Sequence, residues 1–216
     1  MASILSLYNG ALAELGQREL QSLTEPVQTR WVLDNLWNSG FIKRVLEQGI
    51  WNFALRTVQM TSEPVGPAFG YEYRFQKPTD WVRTHKISTS EKFAAPLNAY
   101  ADEGGYWYAD VDPLYIQFVS NHPSYGANLS AWPESFTRAV TLHLALLAAP
   151  RILPQAQALA LLRGPQGLIA RSRGEMKDAE SKDASNQPVE HSPMSSWARS
   201  RTADYIVDRR GSRLIG

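Results

Sequence analysis

The first fifty residues place their apolar side chains at the spacing of α-helices. Residues 3–15 carry one apolar face, with Ser3 suited to cap the helix and Gly16 suited to end it. A second helix is predicted from Thr24, as its N-cap, to about Gly49. Its apolar face is wider than a coiled-coil seam and comprises Val32, Leu33, Leu36, Trp37, Phe41, Val45 and Leu46. We expect a helix with so wide an apolar face to pack against more than one neighbour.

The pattern then changes to an alternation of apolar and polar residues, which is typical of half-buried strands. The predicted strands lie at residues 71–78, 98–103, 106–109 and 114–120. Gly104 and Gly105 separate the second and third of these segments, and this pair of glycines predicts a tight hairpin turn. We therefore expect three or four antiparallel strands, arranged as a meander and inserted between two helical halves.

Helical spacing returns after Pro133, where one stripe comprises Phe136, Val140, Leu144 and Leu147. Two further helices are predicted at about 155–163 and 166–185, separated by Gly164 and Pro165. Residues 187–216 show no helical stripe.

Together these patterns predict an α+β fold: mainly an α-helical bundle with a small inserted antiparallel β-meander and an extended C-terminal tail. One domain is expected over residues 1–186, with helices at about 3–50 and 133–185 and the β insertion at about 55–120. Residues 187–216 form the expected tail. The length of 216 residues and the hydrophobic content of 44% suit one domain with an appendage.

Charge is distributed unevenly, although the net charge is only +1. Residues 93–137 contain five acidic residues and neither lysine nor arginine, whereas residues 138–216 contain 12 basic and 7 acidic residues. A protein that grips nucleic acid usually concentrates its basic residues, and the acidic middle of this chain does not fit that class. The longest apolar run, residues 139–149, is too short to span a bilayer, so we expect no membrane partner.

The most site-like group is a set of acidic residues around the predicted hairpin, namely Asp102, Glu103, Asp110 and Asp112. Such carboxylates suit glycoside cleavage or a loose calcium site. The same residue types also favour turns, and we prefer that structural interpretation. Cysteine is absent, the four histidines lie far apart, and the common nucleotide, hydrolase and zinc-protease motifs are missing. We therefore expect no catalytic residues, no metal and no cofactor.

One histidine, His143, lies beside the apolar stripe of the helix that follows Pro133. No histidine or acidic residue stands three or four positions away from it. We therefore expect a packed, hydrogen-bonded histidine rather than a metal ligand or a general base.

The tail mixes aromatic, arginine and aliphatic side chains, the types that anchor interfaces. The candidates for docking on a partner are Trp197, Arg199, Arg201, Tyr205, Ile206, Arg209, Arg210 and Arg213. A purely solvated tail is poor in such residues, so we expect this one to become ordered on a partner.

The order of these segments resembles the head-to-tail adaptor family of tailed bacteriophages, known as tail tubular protein A in short-tailed phages. The matching segments are ILSLYNGALAELGQ, QGIWNFALR, PAFGYEYRFQKPTDWVR, EGGYWYADVDPLYIQFV and WPESFTRAVTLHLALLAA. They cover residues 3–150 in the expected order. The most telling are Trp51-x-Phe53-Ala54 and the tyrosine-rich segment that leads to Lys77-Pro78-Thr79-Asp80.

This resemblance implies a structural, non-enzymatic virion protein that forms a homo-oligomeric ring, commonly of twelve subunits. The ring is expected in the neck of the virion, after assembly in the host cytoplasm, between the portal of the capsid and a downstream tail or nozzle protein. Double-stranded DNA would pass through its bore without sequence-specific binding. The aromatic residues expected at the lateral subunit interface are Trp31, Trp37, Phe41 and Trp107.

Two rival classes remain open on the sequence. One is a polysaccharide or cell-wall hydrolase that uses the acidic hairpin at residues 102–112. The other is a nucleic-acid-binding module that uses the basic C-terminal third of the chain.

Overall fold

Six helices and two small β-sheets make up the described part of the chain, which is residues 2–64, 70–93 and 96–186 of a computed structural model. The helices are α1 (Ile4–Glu14), α2 (Gln28–Asn38), α3 (Phe41–Leu46), α4 (Glu134–Ile152), α5 (Gln155–Leu162) and α6 (Leu168–Ser185). The strands are β1 (Leu55–Met60), β2 (Tyr73–Gln76), β3 (Trp81–Ser88), β4 (Ala101–Glu103), β5 (Tyr106–Ala109) and β6 (Leu114–Ser120). The expected tail, residues 187–216, lies outside the described residues.

Helix α1 begins and ends at the residues that local sequence signals predict. The Ser3 hydroxyl accepts a hydrogen bond from the Ser6 backbone N–H at 3.1 Å, and the Ser6 hydroxyl accepts one from the Ser3 N–H at 2.9 Å. Gly16 follows the helix with a φ of +64°, a left-handed conformation that favours glycine. The prediction for residues 3–15 is therefore confirmed.

The predicted single helix from Thr24 to Gly49 is wrong, because the chain breaks at Gly40 into α2 and α3. Gly40 adopts a φ of +81°, and the Ser39 hydroxyl donates to the Leu36 carbonyl at 2.7 Å as α2 ends. Thr24 does not cap α2, since Val27 stands at the N-cap position. The break turns the apolar face, so that Phe41 of α3 is buried in the same core as Leu33 of α2.

Helix α4 is the centre of the helical part, and α1, α2, α5 and α6 all pack against it. Its predicted stripe is confirmed, because Phe136, Val140 and Leu144 are buried and Leu147 packs against the same core. Gly10 of α1 lies so close to α4 that a β-carbon there would stand 2.7 Å from the Thr141 methyl group. The helical core therefore depends on a tight α1–α4 crossing.

The strands do not form the predicted meander. They form two three-stranded antiparallel sheets, with strand orders β1-β6-β3 and β2-β5-β4. Strands β1 and β3 were missing from the sequence prediction, whereas the β4–β5 hairpin turns at Gly104 and Gly105 as expected, with φ values of +54° and +85°. The mixed helix and sheet composition is thus as predicted, but the order of the strands is different.

Two hydrophobic cores result from this topology. The larger core lies among the helices and includes Trp51, Val82 and Val119 from the sheet side. The smaller core involves both sheets and contains Phe75, Ile87, Trp107, Ala109, Leu114, Ile116 and Phe118. Strand β6 therefore contributes to both cores.

A polar cluster connects the two sheets around Lys77, which follows β2. The Lys77 ammonium pairs with the Asp102 carboxylate and lies 4.0 Å from the ring centre of Trp81 and 5.6 Å from that of Trp107. The Thr84 hydroxyl on β3 donates to Asp102 at 2.7 Å. It also accepts from Nε1 of Trp81 at 3.1 Å and of Trp107 at 3.0 Å. We call these five residues the Lys77 cluster.

The indole N–H of Trp107 should make a measurable contribution to stability. Trp107→Phe and Trp51→Phe remove the same atoms from side chains that are 0% and 1% exposed. Nε1 of Trp107 has two acceptors, Thr84 and Asp102, whereas Nε1 of Trp51 has no hydrogen-bond partner among the described residues. We expect Trp107→Phe to lower the free energy of unfolding in urea by about 1–2 kcal/mol more than Trp51→Phe does. Equal losses in the two variants would contradict this.

Candidate functional site

The predicted acidic group does not form a shared site, because its members are engaged in separate places. Asp102 lies on β4 opposite Trp107 and belongs to the Lys77 cluster. Asp110 follows β5, and its Oδ1 accepts a hydrogen bond from the Glu72 backbone N–H at 3.0 Å. Glu103 is exposed next to the hairpin turn.

Asp112 connects the turn before β6 to the end of β1. Its Oδ2 accepts from the Ser62 hydroxyl at 2.8 Å, and its Oδ1 accepts from the Ser62 backbone N–H at 3.3 Å. The structural interpretation of the acidic group therefore agrees with the contacts of Asp102, Asp110 and Asp112.

A glycosidase needs two carboxyl groups that flank one substrate bond. Asp102 is held by a lysine, a threonine and a tryptophan, while Asp112 is held by Ser62 on another segment. Within residues 2–64, 70–93 and 96–186, no group of three or more histidine or acidic side chains is arranged to hold a metal ion. The geometry therefore offers no specific support for hydrolysis or calcium binding at residues 102–112.

A partly buried ion pair that sequence reasoning missed joins the start of β1 to the start of β3 and the end of β6. Nη1 of Arg56 donates to Asp80 Oδ1 at 2.9 Å and to Oδ2 at 2.8 Å, and the Ser120 hydroxyl also donates to Asp80. The Arg56 guanidinium lies 6.0 Å from the Phe118 ring centre and 5.9 Å from that of Tyr125. Arg56, Asp80 and Ser120 are all hydrogen-bonded to one another through Asp80, so this cluster is suited to holding the three strands together.

The pKa of Asp80 reflects two opposing effects. Burial raises it, but the hydrogen bonds from Ser120 and Arg56 and the positive charge of Arg56 outweigh burial, so the pKa lies below its ordinary value. The carboxylate form is therefore favoured in the folded protein.

His143 is packed and hydrogen-bonded, as the sequence predicted. Its Nδ1 lies 3.4 Å from the Ser172 hydroxyl, and its ring stacks on Phe41 with the ring centres 5.9 Å apart. Burial and, to a lesser extent, the positive charge of Arg44 lower its pKa, so the neutral imidazole is favoured. His143 borders a cavity between α4 and α6 of about 680 Å³.

The C-terminal end of α6 is fixed to the junction between helices and sheets. Oδ2 of Asp183 accepts from the Asn52 backbone N–H at 2.7 Å, and the Asn52 side-chain amide donates to the Asp183 carbonyl at 2.7 Å. Burial raises the pKa of Asp183. These two hydrogen bonds hold α6 beside the turn that precedes β1 and involve residues 131 positions apart.

Two of the four aromatic residues predicted at the subunit interface are buried inside the subunit instead. Phe41 and Trp107 are 0% exposed, because Phe41 fills the helical core and Trp107 fills the smaller core. Trp37 is half-buried and packs against Tyr8, with the ring centres 6.0 Å apart. Only Trp31 is available at the surface among these four candidates, with 51% of the side chain exposed. The eight docking candidates between Trp197 and Arg213 lie outside the described residues.

No protein-family model and no curated protein matches the chain. None of the helices in the described part of the chain is both long and apolar enough to cross a membrane.

Replacing Asp110 and Asp112, which lie between β5 and β6, by asparagine should change the stability of the fold little. Asp110→Asn with Asp112→Asn keeps an acceptor oxygen for Glu72 and Ser62, so we expect a loss in the free energy of unfolding below about 1 kcal/mol. Millimolar calcium should leave the Tm of the wild-type chain and of this variant unchanged. As a control, Asp112→Ala removes both acceptors of Ser62 and should cost more. A Tm that calcium raises in the wild type alone would favour the calcium interpretation.

The Asp80 ion pair should make stability depend on pH in acid. Because its folded pKa is depressed, its contribution is fully present above the unfolded pKa of about 3.9 and is lost as pH falls through the folded pKa. We expect Asp80→Asn to lower the free energy of unfolding by about 2 kcal/mol at pH 7, with a difference that shrinks below about pH 4. The exposed Asp178→Asn is the control and should show little effect. A constant difference across this range would be inconsistent with the ion pair.

Proposed function

We propose that the chain is a structural protein of a bacteriophage neck, a subunit of a ring that joins the capsid portal to the tail and surrounds a channel for DNA. The observation that carries the proposal is the ordered series of segments over residues 3–150 that resembles the head-to-tail adaptors. The ring, commonly of twelve subunits in that family, would serve DNA retention and ejection.

The arrangement of elements supports this proposal. The segment ILSLYNGALAELGQ includes α1, the segment QGIWNFALR leads from α3 into β1, and the last matching segment spans most of α4. The β part thus lies between α3 and α4 in the chain, as an insertion into a helical body. In a ring, the helices could contact neighbouring subunits, and the two sheets could contact the portal or the tail protein.

The charge distribution supports a conduit rather than a DNA-gripping module. Each phosphate contact made by lysine or arginine adds affinity for DNA and opposes sliding. The chain is nearly neutral, with a net charge of +1, and residues 93–137 carry no lysine or arginine. A ring of such subunits lets DNA pass without binding it at particular sequences.

The partners follow from this role. They are further copies of the chain, the portal protein, a downstream tail or nozzle protein, and double-stranded DNA in the bore. The proposal requires no catalytic residue, metal or cofactor, and it places the protein in the virion after assembly in the host cytoplasm. Residues 187–216 would dock on the portal through aromatic and arginine side chains.

Binding to portal rings tests the proposal and the tail separately. We expect the full-length chain to co-sediment with purified portal rings of the same virus. The triple variant Trp197→Ala, Tyr205→Ala and Ile206→Ala should remain folded and lose most of this binding, because aromatic and aliphatic anchors are removed. A control with Ser195→Ala and Ser196→Ala should bind like the wild type.

Two contrary results have different meanings. A wild-type chain that does not co-sediment with portal rings would contradict the neck function. A triple variant that binds as well as the wild type would contradict only the docking role of the tail.

A further inference from the structure

The cavity beside His143 is a recess between α4 and α6 that opens to solvent. Its lining is mainly apolar and comprises Gln48, His143, Leu146, Leu147, Leu162, Ile169, Ser172, Arg173, Met176 and Lys177. We call it the α4–α6 groove. Its volume of about 680 Å³ lies within the range of about 300–1,000 Å³ that is typical of ligand pockets. The groove is therefore large enough for a small molecule.

The groove has an apolar end and a charged end. Ile169, in the first turn of α6, is 39% exposed and lines it together with Leu162, the last residue of α5. Lys177 lines it further along α6, at about 12 Å from Ile169 along the helix axis, as the helical rise of about 1.5 Å per residue gives. Arg173 lies between them. A ligand along α6 would thus meet aliphatic side chains first and cations at its other end.

The two cations of the groove are not neutralised within the described residues. Arg173 and Lys177 are exposed, and neither forms an ion pair there. They stand one turn apart on α6, at a spacing where like charges repel each other. The lining contains no acidic residue, since Glu175 pairs with Arg138 at 2.8 Å and Glu180 lies outside it. This end of the groove therefore favours an anion.

The wall of the groove offers few other polar groups. The Ser172 hydroxyl, on a residue that is 3% exposed, lies 3.4 Å from Nδ1 of His143, so these two groups contact each other. Most lining residues lie within α4 and α6, where backbone N–H and C=O groups are bonded inside the helix. The groove therefore has little to pair with the backbone of a bound peptide.

These features select a hydrocarbon chain with one negative charge. A peptide would bring backbone N–H and C=O groups into the recess, and leaving them unpaired costs free energy. A hydrocarbon chain brings none, and its removal from water is favourable. A terminal carboxylate can accept charge-assisted hydrogen bonds from both Arg173 and Lys177.

We propose that the α4–α6 groove binds an aliphatic monocarboxylate of the fatty-acid class. The chain lies along Leu146, Leu147 and Ile169, and the carboxylate lies between Arg173 and Lys177. This binding site goes beyond the proposed function and does not rest on it.

Methyl NMR of the full-length chain, labelled with ¹³C at the methionine methyl groups and titrated with decanoate, tests the site. Met176 lines the groove, whereas Met60 of β1 packs against the smaller core. We expect the Met176 signal to shift and saturate while the Met60 signal stays in place. Acetate carries the carboxylate without the chain and should shift neither signal at the same concentrations.

Charge variants test the cationic end. Arg173→Gln with Lys177→Gln should weaken decanoate binding at least about fivefold, because both partners of the carboxylate are lost. The matched control is Lys92→Gln with Lys182→Gln, which changes the net charge equally at two exposed lysines outside the groove. The control should bind decanoate like the wild type.

A second pair of variants tests the apolar end. Ile169→Ser should weaken decanoate binding at least about fivefold, because apolar contact with the chain is lost. Leu159→Ser is the control, since Leu159 is also 39% exposed but does not line the groove, and it should bind like the wild type.

Four results would overturn the proposal. They are a Met176 signal that decanoate leaves in place, a Met60 signal that shifts equally, the same shift with acetate, and groove variants that bind decanoate like the wild type. Portal binding is a separate measurement on the same chain, so failure of this site is distinguishable from failure of the neck function.

Discussion

Strand β6 is the element on which the rest of the fold depends, because it is shared by both cores and paired on both edges. It lies between β1 and β3, with Leu114, Ile116 and Phe118 in the smaller core and Val119 in the helical core. At its end, Ser120 donates to the Asp80 carboxylate that also binds Arg56. A buried carboxylate needs such partners, and here they come from two other segments of the chain, through Arg56 and Ser120. The cluster thereby ties β1 and the start of β3 to the end of β6.

The helices are attached at two points to the segment that leads into β1, the strand that pairs with β6. Trp51 and Phe53, before β1, pack on Phe136 of α4 with ring centres 4.6 and 4.8 Å apart. The hydrogen bonds between Asn52 and Asp183 hold the end of α6 at the same junction. The junction Trp51-x-Phe53-Ala54, one of the most telling parts of the resemblance, is therefore where helices and sheets meet.

Local signals predicted the elements whose ends are set by nearby residues. Ser3 and Gly16 bound α1, and Gly104 with Gly105 turns the β4–β5 hairpin, so short-range sequence was sufficient there. The break at Gly40 was missed because apolar residues continue at helical spacing on both sides of it.

Strand β3 was missed because its pairing with β6 shifts register between Trp81 and Arg83 and again between Thr84 and Lys86, which disturbs the alternation. Strand β1 carries no fully buried side chain and so has a weak pattern. The contacts of Asp80 and Asp183 join residues far apart in sequence, so no local sequence pattern predicts them. The prediction of Phe41 and Trp107 as interface residues was wrong because an aromatic residue suits a core as well as a surface.

Electron microscopy of the purified full-length chain, alone and mixed with portal rings, tests the central claim most directly. The account predicts closed rings of many copies with an open bore, stacked coaxially on the portal. Particles that remain single subunits under both conditions would contradict it.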